Sequence, residues 1–220
     1  MGRNFYRAAK QRGADIDFVA ANDLGSKELM AHLLRYDSIL GTWDSQVRAT
    51  DSGIEVDGDE LQILAERDPK ALPWGDLGVD MVIESTGFFS SREQAAMHID
   101  AGAPFVIVSA PSAGADATFV VGVNDDTFDP EQHKVVSNAS CTTNCFVPMI
   151  KVLDDAFGVE NGLMTTVHAY TGTQSLVDGP SKDLREARAA PVEAGTMLTA
   201  EARARRRSLW ARSRRFWSFV

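Results

Sequence analysis

The stretch Ser137-Asn138-Ala139-Ser140-Cys141-Thr142-Thr143-Asn144-Cys145 decides how this chain is read. The run Lys134 to Val136 leads into it as a strand. After it, Phe146, Ile150, Leu153 and Phe157 recur at three- and four-residue steps, the period of an amphipathic helix. Cys141 therefore stands where a strand ends and a helix begins, with Ser140 as the N-cap. Backbone N–H groups and the helix dipole at such a place favour an anion and lower a thiol's pKa. A thiolate is a good nucleophile at neutral pH, and a neighbouring base helps further. The next histidine along the chain is His168, in a stretch, Met164 to Tyr170, that reads as a strand end. The competing reading of a cysteine in an apolar sequence is a small buried hydrophobe. Cys145, one helical turn after Cys141, is read that way.

Ser-Cys-Thr-Thr-Asn-Cys, followed 27 residues after Cys141 by His168 in Thr-Val-His-Ala-Tyr-Thr, resembles phosphorylating glyceraldehyde-3-phosphate dehydrogenase. The likeness runs from Gly2 to about Ala190. It implies a Cys141 thiolate that attacks an aldehyde, with His168 as its ion-pair partner and base. It implies hydride transfer to NAD, a thioester, and phosphorolysis of that thioester in glycolysis. Ser140, Thr142 and Thr171 match positions that bind the substrate's phosphate and inorganic phosphate. Each alone is an ordinary cap or strand-end hydroxyl.

Composition narrows the alternatives. The 220 residues suffice for one or two domains, and the net charge of −9 argues against general nucleic-acid binding. Two cysteines four residues apart make neither a disulfide framework nor a zinc site, so no metal is expected. No apolar run is long enough to span a bilayer, and a cytoplasmic location is expected.

In chain order, Met1 to Ala9 reads as a helix, Asp15 to Ala21 as a strand, and Ser26 to Arg35 as a helix capped by Ser26. That order suits a doubly wound dinucleotide-binding unit. Asp23 follows Gly2 by about 20 residues, the spacing of a carboxylate that accepts from the adenosine ribose. Its ordinary alternative is a helix cap or turn residue. Asp23 would favour NAD over NADP. The resemblance adds Asn22, and Arg67 near the adenine end. Gly2 matches the last glycine of the Gly-x-Gly-x-x-Gly fingerprint; the first strand and the earlier glycines are expected to be missing, which would expose two strand edges.

Tyr36 to Gly41 reads as a loop, then Val47–Thr50, Ile54–Val56 and Leu61–Ala65 as strands around an Asp57-Gly58 turn. Val79 to Ile83, Phe105 to Val108 and Thr118 to Val121 read as further strands, with a helix over Ser91 to Ala101. Thr86, Gly87 and Ser109 match family positions along the nicotinamide half of the cofactor. Asn124 to His133 reads as a polar loop with a solvated His133. The loop from Thr171 to Arg188 matches one that the family uses at a subunit interface, implying a homotetramer.

The expected organisation is an incomplete Rossmann-type NAD-binding domain over 1–140, a partial α+β catalytic domain over 141–190, and a divergent, disordered tail over 191–220. Residues 1–200 carry a net −15 and residues 201–220 a net +6, all of its cations arginine. A reading-frame shift near residue 190 is the favoured origin of that tail. A basic-aromatic segment that touches membrane or RNA is the rival. Little turnover is expected of such a chain, and the alternative function is a non-catalytic fragment or an assembly partner of an intact homologue.

Overall fold

A computed structural model of the chain describes residues 1–172, 174–180 and 187–188, and residues 196–202 as backbone. It divides into two units, Met1–Asn144 and Cys145–Val220. Most of the arginine-rich tail lies outside the described residues.

The first unit opens with α1 (Gly2–Gln11). Tyr6 and Ala9 supply its buried face, and the Tyr6 ring packs edge-on against Phe18 at 4.6 Å. Arg7 is buried beside them, donates to the Gly41 carbonyl through both terminal nitrogens, and lies 5.6 Å from the Trp43 ring. β1 covers Ala20–Asn22, shorter than the sequence implies, because only these residues find a ladder partner. α2 (Lys27–Arg35) starts as expected, with Ser26 Oγ accepting from the Leu29 N–H at 3.2 Å. The expected loop after it is a small hairpin, β2 (Tyr36–Asp37) against β3 (Gly41–Thr42). Asp37 Oδ1 makes the hairpin by accepting from the N–H groups of Ile39 and Leu40, both at 2.8 Å.

β4 (Val47–Ala49), β5 (Gly53–Val56) and β6 (Asp59–Leu64) form an antiparallel meander. Asp57 and Gly58 both have positive φ, 53° and 96°, which is what a tight hairpin turn requires. Gly53 has to be glycine, since a Cβ there would sit 1.9 Å from the Leu61 carbonyl oxygen. The sheet order is β1-β6-β5-β4, with β1 parallel to β6. Ile54, Val56, Leu61 and Leu34 fill its core with Tyr6 and Trp43.

A second sheet is wholly parallel. β7 (Val82–Glu84), β8 (Val106–Val108), β9 (Ala117–Thr118) and β10 (Val135–Ser137) lie in the order β7-β8-β10-β9. β7 and β9 are shorter than expected. The single helix expected over Ser91 to Ala101 is two short ones, α3 (Arg92–Ala95) and α4 (Met97–Asp100), broken at Ala96. Ser91 and Gln94 close a reciprocal capping box at the start of α3. Ala95 packs fully buried on Val106, Val108 and Val135.

β1 and β7 are end strands of their sheets, and both are mostly half-buried, whereas β10 is buried throughout. In a single doubly wound sheet a first strand lies between such strands. Here a cluster of Leu72, Trp74 and Ala103 joins them, packing on Ala20 and Leu64 from one sheet and Val82 from the other. The expected fold class, a Rossmann-type parallel α/β domain with the start of a second domain, is the one found.

α5 (Cys141–Phe157) begins in the first unit and carries the chain into the second. The second unit continues with β11 (Gly162–His168), paired antiparallel with β12 (Thr196–Ala202) so that His168 faces Thr196 in the ladder. β12 is regular structure inside the segment expected to be disordered. No helix among the described residues is long and apolar enough to cross a membrane.

Candidate active site at the strand ends

The parallel strands β7, β8 and β10 run in register, so their C-terminal ends lie on one edge of the sheet. Ligands of open α/β sheets bind outside that edge. Three turns meet there, and each is tied to the next.

The first turn carries Thr86 and Gly87. Glu84, the last residue of β7, accepts from both the N–H and the hydroxyl of Thr86, at 2.6 and 2.5 Å. Gly87 has φ +79°, a conformation that a side chain would strain. Burial pushes the Glu84 carboxyl up, but the hydrogen bonds from His98 and Thr86 outweigh it and hold the group below its ordinary value.

The second turn carries Ser109. Its hydroxyl donates to Ser85 Oγ at 3.0 Å, and its N–H donates to the Glu84 carbonyl at 2.9 Å. Gly2 is against the same place, since a Cβ built on it would meet Ser85 Cβ at 3.6 Å. Gly2, Thr86, Gly87 and Ser109 are therefore brought together. The first turn of α1 contains no acidic side chain, and no side chain caps it. Such a helix start suits a phosphate group.

The third turn carries Cys141. Asn138 N–H donates to the Val108 carbonyl, and the fully buried Ser137 hydroxyl donates to the Ala110 carbonyl at 2.7 Å. The Ser137 oxygen accepts in turn from the Ala139 N–H at 3.0 Å. Ala139 sits at φ +57°, the left-handed region, which costs a non-glycine residue about 1–2 kcal/mol. That kink aims the chain from β10 directly into α5. Ser140 then caps the helix, its Oγ accepting from the Thr143 N–H at 3.0 Å and bonding the Thr143 hydroxyl at 2.7 Å. Asn144 reaches back to the carbonyls of Asn138 and Ser140, at 2.7 and 2.9 Å. Cys141 is exposed at the first position of the helix, as the sequence implies, and Thr142 beside it is half-buried.

Asn22, Asp23 and Arg67 form a separate group. Asn22 and the Glu66 backbone exchange two hydrogen bonds, at 2.9 and 2.8 Å. That clamp fixes the end of β1 to the end of β6 and sets the adjacent Arg67, whose side chain is exposed. Asp23 Oδ1 accepts from the Gly25 N–H at 2.7 Å, so Asp23 does serve as a turn residue.

In the second unit, His168 is half-buried at the end of β11, and its Nδ1 lies 2.6 Å from the Ala169 carbonyl oxygen. A ring nitrogen facing a carbonyl is a donor, so Nδ1 carries the proton and Nε2 holds the lone pair of the neutral ring. The exposed Thr171 donates its N–H to Gln174 Oε1 at 2.9 Å.

Two expectations need correction, those for Cys145 and His133. Cys145 is exposed, not a buried hydrophobe. Among the described residues α5 has no buried side chain; Leu153 and Phe157 on its apolar face are 46% and 84% exposed. His133 is not simply solvated: its Nδ1 accepts from the Asp129 N–H, and its ring packs on Phe119 and Phe128. Among the described residues no cluster of three His, Cys, Asp or Glu is placed to hold a metal ion.

Sequence reasoning missed Ser137, Ala139 and Asn144 as the buttress of the Cys141 turn. It also missed the Glu84–His98 pair behind Thr86. A histidine three residues after Ala95, on the helix face that meets the sheet, was the available signal for the latter.

Comparison with known proteins gives a consistent picture. Residues 1–92 match the family model described as glyceraldehyde 3-phosphate dehydrogenase, NAD binding domain, and residues 140–204 match the C-terminal domain of the same family. Glyceraldehyde-3-phosphate dehydrogenase 1 of Streptomyces avermitilis is 58% identical over 190 residues, 86% of this chain and 57% of the relative. The Geobacillus stearothermophilus enzyme of that name is 53% identical over 190 residues, 86% of this chain and 56% of its own. That of Mycobacterium bovis is 53% identical over 210 residues, 93% of this chain and 62% of its own. The chain thus spans somewhat over half the length of the curated relatives it matches.

Proposed function

Because this chain belongs to the glyceraldehyde 3-phosphate dehydrogenase family, we propose that its residues serve that family's phosphorylating oxidation of an aldehyde. The observation that carries the proposal is Cys141 on a strained, buttressed turn at the first position of α5, beside the turns of Thr86 and Ser109.

In this reading Cys141, as thiolate, attacks the carbonyl carbon of glyceraldehyde 3-phosphate. As imidazolium, His168 pairs with the thiolate through Nε2–H; that proton passes to the carbonyl oxygen as sulfur adds, and the now neutral Nε2 takes it back from the hemithioacetal hydroxyl as hydride leaves. The Cys141 N–H at the helix start holds the developing oxyanion. NAD, when bound, supplies the hydride acceptor, and the carbon left on sulfur is a thioester. Inorganic phosphate attacks that carbon, forming the acyl phosphate and returning Cys141 as thiolate. Ser140, Thr142 and Thr171 hold the phosphates.

The residues present suit NAD. Gly2 lets the pyrophosphate approach the start of α1, and Asp23 accepts from the adenosine ribose. Asn22 positions Arg67 near the adenine, and Thr86, Gly87 and Ser109 line the nicotinamide half. The substrates are glyceraldehyde 3-phosphate and phosphate, the assembly a homotetramer, and the location cytoplasmic.

A single-turnover experiment tests this reading. The purified chain is mixed with NAD and glyceraldehyde 3-phosphate without phosphate. A phosphoglyceroyl adduct on the Cys141 peptide, released by added phosphate and absent in Cys141→Ser, is expected. No adduct at Cys141 overturns the proposal.

A second reading has an observation of its own. Val152, Leu153, Phe157, Leu163 and Val167 are exposed apolar side chains in the second unit, which suits assembly with an intact homologue. Co-purification without any adduct would favour it.

A further inference from the structure

Glu84 and His98 are 4% and 5% exposed, and the chemistry above uses neither. Trp74 Nε1 lies 3.0 Å from His98 Nδ1. An indole N–H only donates, so Nδ1 must be the acceptor and Nε2 must carry the proton of the neutral ring. Nε2 then donates to Glu84 Oε2 at 3.0 Å. The other carboxylate oxygen, Oε1, accepts from the N–H and the hydroxyl of Thr86. Thr86 Oγ1 accepts in turn from the Phe88 N–H at 3.1 Å.

The chain of donors thus has one direction on each side, and both sides end on the same carboxylate. No neutral side chain of the same shape can replace it. A glutamine offers one oxygen and one NH2, so whichever way it turns, two donors face each other on one side. A buried carboxylate bears a desolvation cost, and only an arrangement needing two acceptors explains keeping it there.

We infer that Glu84 and His98 are positioning residues for the nicotinamide half of the cofactor site, holding the Thr86-Gly87 turn through Thr86 without touching the ligand. The inference rests on the reading that Thr86 and Gly87 line that site.

The test compares wild type with Glu84→Gln in two measurements. The first is hydrogen–deuterium exchange across Thr86–Phe88. The second is calorimetric titration with NAD and, separately, with ADP-ribose, which lacks the nicotinamide. Glu84→Gln is expected to speed exchange at Thr86–Phe88 while β8 and β10 stay protected. It is expected to weaken NAD about tenfold and ADP-ribose less than about twofold, the tenfold being the order of one unpaired buried donor. Trp74→Phe, a milder change, is expected to show the same pattern at about threefold, and it decides the matter if Glu84→Gln does not fold. Unchanged exchange at Thr86–Phe88, or equal weakening of both ligands, overturns the inference. A wild-type chain that binds neither ligand overturns the cofactor reading instead, while the exchange result still decides whether Glu84 holds the turn.

Discussion

At the scale of single residues, the Cys141 turn is held by groups that never touch a substrate. Ser137 is fully buried and uses its hydroxyl twice, donating to Ala110 and accepting from Ala139. Ser137→Ala removes the partner of the buried Ala139 N–H and of the half-buried Ala110 carbonyl, and the orphaned buried N–H costs about 1–3 kcal/mol. Urea denaturation is expected to show a loss of that order. A loss under about 0.5 kcal/mol would mean that the turn is held elsewhere. The cysteine's place at a helix start was legible, because strand, cap and helical period are local signals that all agree here. The kink at Ala139 was not legible, since alanine announces no positive φ. It is imposed by Ser137 and Ala110, 27 positions apart in sequence.

At the scale of elements, Asp116 fastens the parallel sheet. Its Oδ2 accepts from the N–H groups of Lys134 and Val135 at the entry to β10, at 2.9 and 2.8 Å. Its Oδ1 accepts from Arg92 Nε at 2.6 Å, which ties in α3. Burial raises its pKa, but those N–H groups and the guanidinium lower it further, to below the ordinary 3.8. Glu84 is likewise held below its ordinary 4.5. A carboxyl whose folded pKa is depressed stabilises the fold above its unfolded pKa, and that contribution is lost as pH falls through the folded value. The melting temperature is therefore expected to be flat above about pH 5 and to fall below about pH 4. Asp116→Asn is expected to lower it at pH 7 and to shrink the acid-dependent drop. An unchanged acid profile in the variant would remove Asp116 from this role. The cap at Ser26 and the Asp57-Gly58 turn were readable because each is chemistry within four residues. The brevity of β1 and the break at Ala96 were not, since ladder length and helix continuity are decided by distant partners.

At the scale of the whole molecule, the first unit holds two four-stranded sheets whose end strands, β1 and β7, are only bridged by the Leu72, Trp74 and Ala103 cluster. Backbone groups along such edges lack ladder partners on one side, and opening there costs little. Amides of Ala20, Asn22 and Ile83 are expected to exchange at least about a hundredfold faster than those of Val106 and Val135, and equal protection would contradict an open edge. Apolar periodicity foretold α5 and its apolar face but not what covers that face, because a period records only that a partner is wanted. The proposed chemistry also belongs to this scale, since it pairs Cys141 with His168, 27 residues further along the chain. The pH dependence of iodoacetamide alkylation at Cys141, resolved from Cys145 by peptide mass and repeated in His168→Ala, tests it most directly. A fast Cys141 reaction that persists well below the ordinary thiol pKa of about 8.5, lost in His168→Ala, is the expected result. Identical profiles for wild type and variant, each rising only towards that pKa, would contradict a thiolate held by His168.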